Sequence, residues 1–458
     1  MHRNMARLAG GTTMDPAPDR LDRPCGRRRS PGRRGILVVV CALAVLLAAC
    51  SSTQASTTPT TSASGHEPPI PSAAFSDRTG LTATTVRIGN VSTLLGGLFK
   101  GALVGTQAYA AYVNAQGGVA GRKIVVDSGN DNYAGAPNRQ LTQQDILTDF
   151  AMVGSFSLQD NFGGAILAKN PQVPNVAVNL DETTAELPNS FSPAPTPSGW
   201  QLGPVTYYQK KFPSLVHDTG ALIADQPSAE TKWASEKAAM THIGYRVVYD
   251  PTFDITTSNF DQYVVDMRDA GVKILFLEQM PFNYAGAVFK ALDLEDFHPV
   301  IVLGGSTYSS QLVSSAGGPS AIDGSYFEQP TALYLGSDAA YLPAVRTFQT
   351  WVQRVSPGFS PDLYTLYGWV STQLFVQALR SAGPDPSRGS VLQALRGITS
   401  FSGGDIVGPA DPAKKIPTNC YIIGRVEGGQ IQRLDDPPIN GPTHGFRCDQ
   451  PFFYTNPS

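Results

Sequence analysis

Val86-Arg87-Ile88-Gly89-Asn90-Val91 is an apolar-rich run of strand length, and Ala102, Gly105, Tyr109, Tyr112 and Val113 follow it at helical spacing as far as Gly117-Gly118. A short run rich in β-branched residues, then a 3.6-residue apolar pattern, reads as a strand followed by a helix. The unit repeats. Strands are expected at 123–127, 151–154 and 175–179, with helices at 137–150 and 161–169 between them. Short apolar strands alternating with amphipathic helices imply a parallel sheet covered on both faces.

The proline-rich break Phe191-Ser192-Pro193-Ala194-Pro195-Thr196-Pro197 interrupts this alternation, which then resumes. Strands are expected at 221–224, 245–249, Ile274–Leu277 and Val300–Leu303, and helices at 229–243, 260–270 and 284–294. This is a second doubly wound unit. Roughly 380 structured residues exceed what one hydrophobic core serves, which agrees with two lobes. Past Phe327-Glu328-Gln329-Pro330-Thr331, helices are expected at 342–355 and 361–382. The second places Pro361 in its first turn, spaces Leu363, Leu366, Tyr367, Val370 and Leu374 for a core, and stops at Gly383-Pro384. Residues 421–434 read as a hairpin around Gly428-Gly429.

Ahead of the first strand lies ILVVVCALAVLLAAC, residues 36–50, entered from Arg27, Arg28, Arg29, Arg33 and Arg34. A basic entry, an apolar stretch shorter than a membrane span and small residues at the exit have the design of a secretory signal. Leu47-Ala48-Ala49-Cys50 resembles the lipobox of bacterial lipoproteins, which implies that the Cys50 thiol is acylated and becomes the N-terminus of the exported protein. An ordinary signal peptide or a single-pass helix is the alternative. Residues 1–49 are thus a signal peptide, and 50–83 a lipid anchor and Ser/Thr/Pro-rich linker too poor in large apolar residues to build a core.

Residues 1–49 hold nine of the 34 basic and three of the 37 acidic groups, so the remainder carries a formal charge of −9. With no clustered Lys/Arg stripe, nucleic acid is not a partner. Once Cys25, Cys41 and Cys50 are set aside, Cys420 and Cys448 form an isolated pair in an oxidising compartment and read as one disulfide. His66, His217, His242, His298 and His444 show no metal-ligand spacing. No glycine-rich loop ends in Gly-Lys-Ser/Thr and no Gly-x-Ser-x-Gly elbow occurs. The chain is read as a non-enzyme with no cofactor and no metal.

The signal and lipobox, the polar tether, two αβ units, a late helix pair and a terminal hairpin together resemble the substrate-binding lipoproteins of branched-chain amino acid type ABC importers. Gly117-Gly118-Val119-Ala120-Gly121-Arg122-Lys123-Ile124, Gly304-Gly305 with Gly324-Ser325-Tyr326-Phe327, and Tyr367-Gly368 are its local words. The resemblance implies the type 1 periplasmic-binding fold: two doubly wound parallel-sheet lobes joined by a three-strand hinge. The lobes are expected at 84–192 with 331–402, and at 193–330 with 403–458. Crossings are expected near 191–195, 327–332 and 400–410. A monomer that takes a small-molecule ligand, a lipid-anchored place at the membrane and ABC permease subunits as partners are further implications. A ligand sensor of the same fold that signals to a membrane partner is the rival reading.

Ligands of doubly wound sheets lie outside the carboxyl ends of the strands, where helix N-termini offer unpaired N–H groups. That rule selects Ser92, Thr93, Ser155, Phe156, Ser157, Asn179, Asp181 and Thr183 in the first lobe, and Gln226, Glu278, Gln279, Ser306, Thr307 and Tyr308 in the second. Each hydroxyl among them could merely cap a helix. Thr183 matches the threonine through which the family's amino-acid binders hold their ligand. Ser306 and Thr307 stand where those binders tend to place an acid for the ligand ammonium, and Pro227-Ser228-Ala229-Glu230 replaces an expected Tyr-Gly. The aromatic rings of Phe156, Phe282, Tyr284 and Tyr308 are expected at the mouth, or as packing under loops. The expected ligand is less zwitterionic than a branched-chain amino acid, unless Asp181 or Glu278 supplies the missing charge.

Overall fold

The computed structural model describes residues 68–455. The signal segment, Cys50 with its expected acyl anchor, His66 and the tether up to residue 67 lie outside the described residues.

The first lobe follows the expected alternation: β1 (Thr85–Ser92), α1 (Lys100–Ala115), β2 (Lys123–Asn130), α2 (Gly135–Thr148), β3 (Ala151–Val153), α3 (Asp160–Leu167), β4 (Asn175–Val176), α4 (Glu182–Ala185) and β5 (Ser190–Phe191). Its sheet has the order β2-β1-β3-β4-β5 and every pair is parallel. Covered on both faces, β1 is buried at Val86, Ile88 and along its whole C-terminal half.

The second lobe opens with β6 (Gly199–Gln201) and α5 (Leu202–Lys211), then runs through β7 (Thr219–Ala221), β8 (Ile223–Ala224), α6 (Pro227–His242), β9 (Val247–Tyr249), β10 (Thr252–Phe253) and α7 (Asp261–Asp269). β11 (Ile274–Leu277), α8 (Phe282–Leu294), β12 (Val300–Leu303), α9 (Leu312–Ala316), α10 (Pro319–Ile322) and β13 (Tyr326–Gln329) complete it. The strands β9-β7-β11-β12-β13 are parallel, and the terminal hairpin β14 (Ile422–Glu427) and β15 (Gln430–Arg433) adds two antiparallel strands at the β13 edge. Cys420 and Cys448 are disulfide-bonded around this hairpin. A pairing with no sequence signal joins β16 (Phe452–Tyr454) to β6.

Between the second and third crossings the chain returns as α11 (Pro343–Val355), α12 (Leu363–Ser381) and α13 (Arg388–Arg396). α12 lies against α1 in backbone contact. A Cβ on Gly105 would meet the Thr365 carbonyl oxygen at 1.9 Å, and one on Gly368 the Ala102 carbonyl oxygen at 2.0 Å. No other residue type permits that approach. Tyr109 and Trp369 close the seam edge to face at 4.8 Å. The N-cap of α12 is Asp362, whose carboxylate accepts the Thr365 amide at 2.8 Å in a reciprocal capping box, so Pro361 lies outside the helix rather than in its first turn.

Part of the expected linker is ordered against the first lobe. Residues Ser72–Phe75 form a 3₁₀ turn, and Arg388, 2 % exposed, pairs with Asp77 at 2.9 Å while donating to the carbonyls of Ile146, Asp149 and Phe150. A buried guanidinium needs all those acceptors, and residues 68–83 supply its anion. The linker therefore ends earlier than residue 83.

Candidate functional site

Both sheets reverse strand order at one point: β1 and β3 in the first lobe, β7 and β11 in the second. Helices leave on opposite faces there, so a crevice opens beyond the strand ends. Ser92 and Ser155 stand at the first reversal; Gln226, Glu278 and Gln279 stand at the second.

In the first lobe the polar groups satisfy one another. Ser92 Oγ donates to Asn90 Oδ1 at 2.8 Å and accepts the Phe156 amide at 3.1 Å, and Ser155 Oγ accepts the Val91 amide at 3.1 Å. Thr93 Oγ1 donates to Ser157 Oγ at 3.3 Å, and Ser157 Oγ donates to the Asp131 carboxylate. Fully buried, Asp131 also accepts Asn138 Nδ2 at 2.9 Å and the Tyr133 amide at 3.0 Å. Ser155, Ser157, Asn138, Asp160, Asn179 and Thr184 converge on a small cavity with room for water rather than for a solute. Asp160 anchors the neighbouring loop by accepting the Leu180 amide at 2.6 Å and the Asp181 amide at 3.1 Å; burial nevertheless pushes its carboxyl up to about 6. The Asp181 carboxylate caps α4 through the Thr184 amide and hydroxyl, both at 2.8 Å. Thr184 is the buried threonine of this turn. Thr183 points to solvent.

The second lobe gathers acid instead. One residue beyond the paired Leu277, Leu303 and Phe327, the parallel register sets Glu278, Gly304 and Glu328 side by side. A Cβ on Gly304 would stand 3.0 Å from both Cβ and Cγ of Glu278, so the bare glycine leaves the space through which the two carboxyls hydrogen-bond. Glu236 of α6 completes the group and takes Gln279 Nε2 at 2.9 Å, with its other oxygen unpartnered. Burial first, then mutual repulsion, raises the pKa of Glu278 well above the usual carboxylate range. Burial also dominates the rise of Glu236 to about 8 and of Glu328 to about 7.

Other expected positions serve their own loops. Ser306 Oγ donates to the carbonyls of Glu278 and Met280, and Thr307 Oγ1 to that of Gly304 at 2.7 Å. Phe156 packs on Phe99 at 4.8 Å and Tyr308 on Tyr334 at 4.8 Å, with 4 % and 6 % exposure, so both rings are enclosed rather than presented at a mouth. Phe282 and Tyr284 begin α8 half-buried, and the Tyr284 hydroxyl is tied to the Ile255 carbonyl at 2.7 Å.

A hydrogen bond spans the gap: Tyr133 of the first lobe donates its hydroxyl to Gln226 Oε1 of the second. Tyr133 and its neighbour Asn132 both have positive φ, 63° and 52°, a backbone conformation costly for non-glycine residues and often found at binding loops. The strand-end rule, applied to β2 as well, would have found this loop. Lys232 of α6, also unforeseen, donates to the first crossing at the carbonyls of Thr196 (2.9 Å) and Pro197 (3.3 Å).

Residues 85–430 match the periplasmic binding protein family. Leu/Ile/Val-binding protein homolog 1 of Brucella abortus is 21% identical over 348 residues, 71% of this chain and 85% of that protein. Two solved structures superpose along most of the length. A fatty acid ABC transporter substrate-binding protein from Thermomonospora curvata gives a TM-score of 0.65 at 16% identity, covering 83% of this chain and 95% of that one. An ABC transporter solute binding protein from R. palustris, in complex with 4-hydroxybenzoate, gives 0.64 at 15% identity, covering 80% and 98%. The fold is the type 1 periplasmic-binding fold, and the family is one of binding proteins, not enzymes.

Proposed function

We propose, from the premise that this chain belongs to the periplasmic binding protein family, that it is an extracytoplasmic receptor which closes its lobes on a small polar or aromatic molecule and delivers it to an ABC import permease. Acyl chains on Cys50 hold it at the membrane. The observation that carries the reading is the alignment of the two strand-order reversals across one gap, bridged by Tyr133 and Gln226. Hinge closure about three crossings suits that arrangement: the second and third run side by side, with the Ala332 amide donating to the Ile406 carbonyl at 2.9 Å.

The ligand class follows from what is already committed. Ser306 spends its hydroxyl on carbonyls, Asp181 caps its own helix, and Glu278 is bonded to Glu328. None of these is a free anion for a ligand ammonium, whose unpaired burial costs several kcal/mol. The names of the similar proteins span Leu/Ile/Val, fatty acid and 4-hydroxybenzoate, a range that leaves room for a non-amino-acid solute.

Deleting the gene should abolish uptake of one solute, measured with labelled compounds across a broad panel, and Cys50→Ala should move the protein out of the membrane fraction. Unchanged uptake across the panel would sink the transport reading. Membrane retention of a processed Cys50→Ala protein would remove the lipid anchor.

A further inference from the structure

Strand order puts Tyr133 and Gln226 at the margin of the cleft remote from the crossings. Tyr133 follows β2, at one edge of the first sheet, whereas the first crossing leaves from β5 at the other edge. In the second lobe the second crossing leaves from β13, and the third leads into its neighbour β14. Gln226 follows β8, which continues the line of β7, and β11 and β12 separate β7 from β13. Other ties between the lobes stand nearer the crossings. Ser310 Oγ, in the loop after β12, and Ser360 Oγ, ahead of α12, are 2.5 Å apart, and Lys415 Nζ donates to the Ser190 carbonyl of β5 at 2.7 Å. A rotation about the crossings therefore displaces the Tyr133 margin most and those ties least.

Each partner is held in place by its own lobe. The Tyr133 amide donates to Asp131 Oδ1 and the Asn132 amide to Asn130 Oδ1, both at 3.0 Å, and the Ala134 amide closes the turn on the Asp131 carbonyl at 2.9 Å. These bonds keep two successive non-glycine residues at positive φ, a conformation that persists only where its surroundings fix it. Its result is a phenol carried from the sheet edge across to the other lobe. Gln226 is the N-cap of α6, and its Nε2 donates to the Asp225 carbonyl at 2.5 Å, which turns Oε1 towards the phenol. Asp225 is fixed in turn, its amide on the Phe253 carbonyl at 2.8 Å. Donor and acceptor are thus oriented before they meet, and the bond forms with little further ordering.

We propose that Tyr133 is the latch of the cleft: a positioning residue whose hydroxyl bond to Gln226 forms as the last contact of closing, and whose release opens the margin between the β2 loop and α6 for the solute to enter and leave. This deepens the receptor reading and rests on it. The latch acts on the balance of open and closed lobes rather than on the choice of solute. A solute that binds the closed form has an apparent affinity proportional to the closed fraction. Loss of the hydroxyl should then weaken every solute by the same factor and leave their ranking unchanged.

The test is the distance between the lobes of the purified protein, read by single-molecule energy transfer between dyes attached through encoded azide side chains in place of Gln140 on α2 and Glu230 on α6, both exposed. Tyr133→Phe should shift the ratio of closed to open molecules about fivefold towards open, the worth of one net hydrogen bond. Gln226→Ala should do the same, and the double variant should add nothing to either. Tyr207→Phe, which removes a phenol hydroxyl bonded within the second lobe to Asp435, should leave the ratio unaltered. A ratio unchanged by Tyr133→Phe, or a double variant whose shift is the product of the two single ones, overturns the latch while the receptor reading stands. One fixed distance in every protein, alone and with leucine, 4-hydroxybenzoate or octanoate, overturns the latch and the closing of the lobes together.

Discussion

The two lobes bury carboxyl groups at equivalent places, beside the reversal of strand order, and treat them in opposite ways. In the first lobe Asp131 is met by donors, Ser157, Asn138 and the Tyr133 amide, so each polar atom of the floor has a neutral partner. In the second lobe Glu278, Glu328 and Glu236 face mainly one another, and Gln279 donates its side-chain amide to Glu236. A paired carboxylate rigidifies its surroundings, whereas facing carboxyls must hold protons to remain buried. Around Asp131 the first lobe is therefore a fixed platform, while at the strand ends of the second lobe the charge state of the facing glutamates depends on pH.

The largest expected effect breaks the platform. Asp131→Leu leaves Ser157, Asn138 and the Tyr133 amide without their acceptor and should destabilise the protein by about 3–5 kcal/mol in urea unfolding. A loss below about 1 kcal/mol would show that the network contributes little. Next is the covalent tie of the second lobe. Replacing both Cys420 and Cys448 by serine should cost about 3 kcal/mol, with amide exchange accelerated in β14 and β15 and not in β1 or β2. Uniform acceleration across both lobes would refute this local role.

A smaller effect separates the lobes by pH. The glutamates' folded pKa values lie above their unfolded value of 4.5, so the folded chain holds protons that the unfolded chain has released. Stability is then fully present below pH 4.5 and is lost as pH rises towards about 8, at about 1.4 kcal/mol per pH unit for each proton retained. Asp149 of the first lobe, raised to about 7 by burial, titrates in the same window, so the variant isolates the cause. Glu328→Gln should flatten the decline between pH 6 and pH 8, as followed by thermal unfolding in a pH series; an unaltered slope would place the protons elsewhere. Smallest is Ser306→Ala, about 1 kcal/mol for its bonds to the Glu278 and Met280 carbonyls. A change in ligand affinity without that stability loss would show that the hydroxyl faces the solute instead.

What the sequence made legible follows the same division. Ile274–Leu277 and Val300–Leu303 coincide with β11 and β12, because strands buried on both faces are continuous apolar runs bounded by polar residues. β4 and β5, two residues each, lack the length for any periodicity and owe their pairing to neighbours. Glu278 was picked out as a strand end, but Glu236 and Glu328 were not. Their meeting depends on the register of three strands and on a glycine between them, which no spacing in the chain records. Nothing in the sequence singles out Lys232. Its unusual partners come from a proline-rich crossing whose path composition alone does not give.

The central claim is a cleft that closes on a solute other than a branched-chain amino acid. It is tested most directly by the thermal unfolding of the purified protein with each solute of a panel in turn. A ligand present at about 100 times its dissociation constant adds about 2.7 kcal/mol of stability. The account predicts a shift of that size with an aromatic or polar non-amino-acid solute and none with leucine, isoleucine or valine. A shift with those three and with no aromatic or polar non-amino-acid solute would contradict it.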